Sequence, residues 1–244
     1  MCGRFAMDGT VYQLLDHLAA PGAAATLRGR APNYNIAPTQ QVPVLRERHG
    51  RREVALARWG MVPPGAATFG GGKPVYNARI ETVDSRGLFQ HPFRSNRAIV
   101  FATGYYEWEA QGAGKQPYFI RDPGRPLAMA AILRAWPDPV LADDDPDRWR
   151  LSMSIITRDA HIAPGLVHDR MPAALRAESY DAWLGGRDAG RDAGDDAGDL
   201  LGLLASDSAA IAGRLDCYPV SRSVNRVERA RGVPNDGPEL IEPL

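Results

Sequence analysis

Short strand-like segments follow one another along most of this 244-residue chain, with few helices between them. Gly and Pro residues punctuate the segments, as expected for tight turns. Parallel strands need long crossovers that usually contain a helix, whereas antiparallel strands need only short turns. The sequence therefore predicts a mostly antiparallel α+β domain rather than a doubly wound sheet. The predicted strands are 42–46, 53–59, 98–103, 105–109, 118–121, 127–133, 151–157 and 215–220.

Four segments have the pattern of helices. The first, 10–20, is amphipathic, with Thr10 as its predicted N-cap and Pro21-Gly22 as its end. The other predicted helices are 87–90, 173–184 and 199–205. We expect them to flank the sheet.

Two acidic segments, 137–147 and 185–199, are predicted to be solvated insertions within a single domain that spans residues 1–244. Residues 138–147 carry a charge of −5 and residues 186–200 a charge of −3. Because the formal net charge of the chain is zero, the remainder carries +8. Only Lys73 and Lys115 of the 29 basic residues are lysine. Arginine suits phosphate binding, but an arginine-rich proteome would give the same composition, so charge alone does not identify a ligand.

Several classes of protein are excluded by the sequence. No apolar run reaches the ~18 residues of a membrane helix, and the N-terminus lacks the features of a signal peptide; a cytoplasmic protein is the default expectation. Cys2 and Cys217 are too few for a disulfide framework, and the five histidines show no paired ligand spacing. There is no phosphate-binding loop or dinucleotide fingerprint. We expect no metal and no cofactor.

Cys2 has a special chemistry if Met1 is removed. The mature chain would then begin with an exposed cysteine that carries a free α-amine, whose pKa of about 7.7–8.0 leaves a nucleophilic fraction near pH 7. Such an amine forms a Schiff base with an aldehyde, and the neighbouring thiol can close a five-membered thiazolidine ring. A small residue near a terminus is the ordinary alternative for Cys2 taken alone.

Three further residues could complete a site with Cys2, although each has a plain structural alternative. Asn77 is of a type that is common in turns. Glu107 would face water by strand alternation, but burial would raise its pKa and make it a general acid or base. His168 could be a loop histidine held by Asp169. None of these residues is a strong signal alone.

Nine short motifs occur in order along nearly the whole chain. They lie at 1–5, 34–38, 58–63, 77–82, 104–108, 115–120, 168–172, 223–225 and 238–243, and include Met-Cys-Gly-Arg-Phe, Asn-Ala-Arg-Ile-Glu-Thr, Gly-Tyr-Tyr-Glu-Trp and His-Asp-Arg-Met-Pro. The ordered set resembles the SOS-response-associated peptidase family, the proteins that shield abasic sites. The family commonly has a second tryptophan where this chain reads Pro64-Gly65-Ala66, which puts one base-stacking contact in doubt.

The resemblance implies a single α+β domain with a β-barrel-like core and a positively charged channel for single-stranded DNA. It implies that Cys2 forms a thiazolidine crosslink with an abasic site, and that Asn77, Glu107 and His168 complete the catalytic site. Further implied residues, which would bind DNA phosphates, are Arg4, Arg79 and Arg170. The family is also described as removing its own initiator methionine; for this chain that activity, and a lyase-like one, are left open.

Two other functions remain as alternatives. The chain could be a thiol peptidase that uses Cys2 on protein substrates, or a non-catalytic module in which the arginines bind single-stranded DNA. The resemblance implies single-stranded DNA with abasic sites as the partner, and a location near the nucleoid when the protein is bound to DNA. We expect no association with a membrane, and we expect the protein to be a monomer.

Overall fold

The computed structural model describes residues 2–19, 23–112, 114–185, 196–228 and 232–244. Its strands are β1 (Phe5–Met7), β2 (Asn33–Ile36), β3 (Gln41–Arg48), β4 (Arg51–Trp59), β5 (Asn77–Arg79), β6 (Arg97–Ala102), β7 (Gly104–Gln111), β8 (Gly114–Arg121), β9 (Leu127–Pro137), β10 (Trp149–Asp159), β11 (Arg170–Pro172) and β12 (Asp216–Pro219). Its α-helices are α1 (Gly9–Leu18), α2 (Ala23–Leu27), α3 (Gly87–Ser95), α4 (Ile162–Val167), α5 (Tyr180–Leu184) and α6 (Asp196–Ala212).

Five strands close into a barrel that holds the main hydrophobic core. Their order is β10-β4-β3-β6-β9, and β9 pairs back onto β10. The pairings are antiparallel except for β4 with β10, which run parallel. The short strands β5 and β11 pair with the end of β10, β5 in parallel and β11 antiparallel. The predicted α+β domain with a barrel-like core is confirmed.

A second, antiparallel sheet lies beside the barrel in the order β12-β8-β7-β1-β2. Because successive strand residues face opposite sides, its two faces belong to different clusters. Phe5 and Tyr105 point into the main core, whereas Tyr106 and Phe119 form a smaller cluster with Val224. Val224 lies in the short 3-10 helix Arg222–Asn225, and the cluster also includes Leu240 from the 3-10 helix Pro238–Ile241.

The helices differ in detail from the sequence prediction. The N-cap of α1 is Asp8 rather than Thr10, since the Asp8 carboxylate accepts from the backbone N–H of Thr10 at 2.9 Å and of Val11 at 3.2 Å. Within 173–184 only a 3-10 turn at Ala177–Ser179 and α5 are helical. No helix among the described residues is both long and apolar enough to cross a membrane.

The two predicted insertions remain predictions. The first forms most of the connection between β9 and β10, where arginines lie against its aspartates: Arg148 with Asp143 at 2.9 Å and Arg150 with Asp138 at 3.4 Å. Of the second, residues 186–195 lie outside the described part of the chain.

Gly104 sets how closely β7 approaches β8. A Cβ atom at this position would lie 2.6 Å from the carbonyl oxygen of Ile120 and would also overlap the Phe119 ring. We therefore expect Gly104→Ala to lower the free energy of unfolding by about 1–3 kcal/mol, the usual cost of overpacking. Gly87→Ala is the control, because nothing lies within 4 Å of its added methyl group. Equal denaturation midpoints for the two variants would contradict the prediction.

Candidate active site

The Cys2 side chain is fully buried, in contrast to the exposed cysteine that we expected. It packs into the main core just ahead of β1, and its backbone carbonyl accepts a hydrogen bond from the side-chain amide of Asn77 at 2.8 Å. Burial, and next the negative charge of Glu107, raise the pKa of the Cys2 thiol well above its ordinary value. The thiol of the chain that still carries Met1 is therefore protonated at neutral pH.

Asn77 begins β5, where it pairs in register with Ile155 of β10. Its amide nitrogen donates to Cys2, whereas its Oδ1 atom is buried and accepts no hydrogen bond within the described part of the chain. A buried carbonyl without a donor is costly. The free Oδ1 atom can therefore receive an N–H group of a reacting partner near Cys2.

Glu107 lies on the buried face of β7, and only 2% of its surface is exposed. By strand alternation it shares its face with Tyr105 and not with Tyr106. The alternative in which Glu107 faces water is wrong, because both faces of this sheet are covered and Tyr106, on the opposite face, is buried as well. Burial raises the pKa of Glu107 to about 7. Such a carboxyl exchanges a proton readily near neutral pH.

His168 follows α4 in an extended conformation, half-buried. Its Nδ1 atom accepts from the backbone N–H of Arg170 at 3.0 Å and also lies 2.8 Å from Oδ1 of Asp169. A backbone N–H can only donate, so its contact requires the neutral ring with the proton on Nε2, whereas the contact with the Asp169 carboxylate requires a proton on Nδ1. Burial lowers the pKa of His168, which favours this neutral form over an ion pair with the exposed Asp169.

The three predicted phosphate ligands lie in different surroundings. Arg4 donates to Asn35 Oδ1 at 2.6 Å and to the carbonyl of Val224 at 2.7 Å, and it also lines the cleft described below. Arg79 is exposed at the end of β5. The phosphate roles of all three arginines remain predictions.

Arg170 is the most enclosed of the three. Its guanidinium contacts Glu81 at 2.8 Å, Asp159 at 2.5 Å and the carbonyl of Thr157 at 2.8 Å. These acceptors join β11 to β10 and to the segment after β5. They favour a structural role for Arg170, since a phosphate would have to displace a carboxylate.

A cleft of about 360 Å³ opens onto the site. It is lined by Arg4, Glu107, Trp108, Lys115, His168 and Asn225. The indole N–H of Trp108 donates to Asn225 Oδ1 at 2.7 Å, which fixes the ring. The sequence predicted no site role for Trp108, Lys115 or Asn225, although each lies inside a motif that carried the resemblance.

The segment that lacks the second family tryptophan offers no replacement ring. Pro64 and Gly65 are exposed, and the carbonyl of Ala66 accepts from the Trp136 indole N–H at 3.0 Å. Phe69, further along the loop, packs on Trp136 and lies beneath the Arg150 guanidinium at 4.0 Å. Of the residues that line the cleft, Trp108 is therefore the aromatic one available to stack on a base.

The arrangement brings together a thiol, an amide, a carboxyl and an imidazole. Asn77 holds the backbone of Cys2, and the charge of Glu107 acts on the Cys2 thiol. Glu107 and His168 line one cleft, so both side chains border the same space. In such a site a thiol or a terminal amine can add to a carbonyl carbon, and a neighbouring carboxyl with a pKa near 7 can transfer the proton.

The chain is similar over nearly its whole length to proteins that are already known. The chain is 32% identical over 251 residues to the abasic site processing protein YedK of Escherichia coli, covering 100% of both chains. It is 29% identical to the abasic site processing protein YoqW of Bacillus subtilis, covering 99% of each. A crystal structure of a Bacteroides thetaiotaomicron protein superposes with a TM-score of 0.73 at 21% identity over 100% of both chains, which supports the fold.

A family model gives the assignment. The model described as SOS response associated peptidase (SRAP) matches residues 1–227, which include each strand and each site residue discussed above. The chain therefore belongs to the SOS response associated peptidase (SRAP) family.

Proposed function

We propose that this protein processes abasic sites in DNA by bonding covalently to the lesion through Cys2. The observation that carries the proposal is the placement of Cys2 against Asn77 and the buried Glu107. The names of the relatives, abasic site processing proteins, support the lesion as the substrate. The proposed partner is single-stranded DNA, where the open-chain sugar aldehyde is accessible.

The proposed reaction needs no oxidant or cofactor. Hydrolysis of the Met1–Cys2 peptide bond first releases the α-amine. The amine then adds to the sugar aldehyde and water leaves, which gives an imine. The thiol sulfur adds to the imine carbon while the thiol proton passes to the nitrogen, and the ring closes. The adduct is therefore protein plus DNA minus one water.

The contacts suggest a role for each neighbour. Asn77 positions the reacting backbone, and its free Oδ1 atom accepts an N–H of the new amine. Glu107, with a pKa of about 7 that is raised by burial, moves protons during imine formation and ring closure. The neutral His168 donates from Nε2 to the sugar hydroxyl or the adjoining phosphate.

The proposal does not require that the protein removes its own Met1. The same groups could activate water or the thiol against the Met1–Cys2 bond, and lyase-like cleavage of the DNA could follow from the imine. Action on other proteins is the alternative function. No contact in the described part of the chain favours any of these three activities over the crosslink, so the crosslink is the activity to test first.

The DNA path should run along the cationic side of the cleft. A second cavity, of about 740 Å³, shares Asn225 with the cleft. Its charged lining residues are Arg222 and Arg226 next to Asn225, and Glu228 and Glu239 further along the chain. Lys115 lines the cleft itself. A chain of phosphates that entered the cleft would therefore pass positive side chains on both sides of Asn225.

Lys115→Gln is expected to weaken the binding of intact single-stranded DNA and to reduce its salt dependence. Loss of one phosphate contact lowers the slope of log K against log salt by about 0.7. Lys73→Gln is the matched control, because Lys73 is exposed and does not line the cleft. Salt titrations by fluorescence anisotropy would measure both slopes, and an unchanged slope for Lys115→Gln would remove Lys115 from the path.

Intact mass spectrometry tests the proposed function directly. Untagged protein is incubated with single-stranded DNA that contains one abasic site. We expect an adduct of protein without Met1 plus DNA minus water, which is absent with intact DNA and absent in Cys2→Ala. A protein that has lost Met1 and still forms no adduct would overturn the proposal, and cleavage of a test protein would then support the peptidase.

A further inference from the structure

The hydroxyl group of Tyr105 is buried in the core and forms no hydrogen bond with any residue that the structure describes. The side chain is fully buried, and the oxygen has no partner within the described part of the chain. A buried hydroxyl normally finds a partner, because an unmet one costs about 1–3 kcal/mol. A phenylalanine would fill the same space without this cost.

The neighbouring Tyr106 shows the ordinary arrangement. It points to the opposite face of β7, and its hydroxyl donates to the carbonyl of Tyr34 at 2.7 Å. The two tyrosines therefore differ in their hydrogen bonding: the Tyr106 hydroxyl bonds to the backbone, whereas the Tyr105 hydroxyl bonds to no described residue.

Tyr105 lies on the same buried face as the proposed active site. It precedes Glu107 by two residues, so both side chains leave the same side of β7. It pairs with Phe5 of β1, three residues after Cys2, and with Ile120 of β8, which in turn pairs with Cys217. Charges on Cys2, Glu107 and Cys217 each act on the phenol, after burial, to raise its pKa.

We propose that the Tyr105 hydroxyl is a positioning donor for Cys2, and that it hydrogen-bonds the sulfur as the thiolate forms and attacks the imine. This inference rests on the proposed function. The hydroxyl keeps its proton throughout and only shares it, which agrees with a phenol pKa well above the ordinary value because of burial. The unmet atoms of Asn77 and Tyr105 then have matched purposes: Asn77 Oδ1 accepts from the amine and the Tyr105 hydroxyl donates to the sulfur.

The donor is needed because the thiol is in the wrong environment to ionise. Cys2 is fully buried among apolar side chains, where the hydrogen bond from the backbone N–H of Arg4 lowers the thiol pKa by less than burial raises it, so that a thiolate with this donor alone is strongly disfavoured. A hydrogen bond to a charged group is stronger than one to a neutral group. The hydroxyl therefore favours ring closure specifically and leaves imine formation by the α-amine unaffected.

Tyr105→Phe tests the proposal by separating the two steps. Cyanoborohydride reduces the imine to a stable amine that is heavier than the ring adduct by two hydrogen atoms. We expect imine formation at the unmodified rate, ring closure slowed by about tenfold or more, and a larger fraction trapped as the reduced amine. The pH at which ring closure reaches half its maximal rate should move upward, because the thiolate has lost its donor.

A stability measurement separates this role from a structural one. Tyr105→Phe removes an unmet hydroxyl and should leave the denaturation midpoint unchanged or higher. Tyr106→Phe removes the bond to Tyr34 and should lower the midpoint without changing ring closure. Unchanged ring closure in Tyr105→Phe would overturn the inference, as would an equal slowing in Cys217→Ala, which would mean that the hydroxyl serves Cys217.

The two proposals fail in different ways. If the unmodified protein forms no adduct with abasic DNA, the proposed function itself is wrong. If the unmodified protein crosslinks and Tyr105→Phe matches it in both steps and in pH profile, only the role of Tyr105 is wrong.

Discussion

An N-terminal extension that cannot be removed should abolish crosslinking completely, although the Cys2 thiol remains in the chain. The nitrogen of an internal cysteine is tied up in an amide and cannot form an imine with the sugar aldehyde. Without the imine the sulfur has no electrophilic carbon to close on. Intact mass after incubation with abasic single-stranded DNA should therefore show unmodified protein only.

Two controls make the result specific. The same tag at the C-terminus should leave crosslinking intact, which excludes an effect of the added sequence. Cys2→Ser should retain the α-amine but lose the sulfur, so that only an imine trapped by reduction appears. A stable adduct from the N-terminally extended protein would show that the sulfur acts alone and that the thiazolidine mechanism is wrong.

Most of the fold could be predicted from the sequence, because apolar strand segments and turn residues are local signals. The predicted segments at 98–103 and 127–133 correspond to β6 and β9 of the barrel. The missed strands are short: β1, β2, β5 and β11 have three or four residues each. Such short strands form because they pair with a neighbouring strand, as β5 pairs with β10. A local sequence pattern does not show which distant strand will be the neighbour.

The site was predicted by resemblance more fully than by residue chemistry. Cys2 and Asn77 are 75 positions apart, and only the fold shows that they share a hydrogen bond. Alternation alone gave the wrong side for Glu107, because it assumes one wet face, whereas the sheet that carries Glu107 is covered on both. The sequence also did not predict the ion pairs of Arg170 with Glu81 and Asp159. These residues come into contact only in the fold, where β11, β10 and the segment after β5 lie side by side.

Glu107→Gln is expected to slow crosslinking by about 100-fold or more, the usual contribution of a general acid or base. The isosteric amide keeps the shape of the side chain but cannot exchange a proton. The rate profile of the unmodified protein should show an inflection near pH 7 from Glu107, whose pKa burial raises to about 7. In Glu107→Gln this inflection should vanish, and that of the α-amine, at about 7.7–8.0, should remain.

Glu109→Gln is the matched control for the kinetics. Glu109 lies two residues further along β7, where its carboxylate accepts from the Tyr118 hydroxyl at 3.0 Å and from Gln111 at 2.9 Å. It does not line the cleft. Crosslinking by this variant should match the unmodified protein, and a similar slowing in both variants would mean that the effect of Glu107→Gln reflects the strand and not the proton.

The same carboxyl makes a prediction about stability with a definite sign. The pKa of Glu107 rises from the ordinary 4.5 to about 7 on folding because burial disfavours the charged form. Between pH 4.5 and pH 7 the Glu107 carboxyl is protonated in the folded protein and ionised in the unfolded chain, which favours unfolding as the pH rises. The contribution of Glu107 to stability is therefore fully present below pH 4.5 and is lost as the pH rises through 7. The loss is about 3 kcal/mol. Urea denaturation at pH 4 and pH 8 should show the unmodified protein losing that much more stability than Glu107→Gln. Equal losses would place the carboxylate in a solvated setting, in which it could not act as an acid near neutral pH.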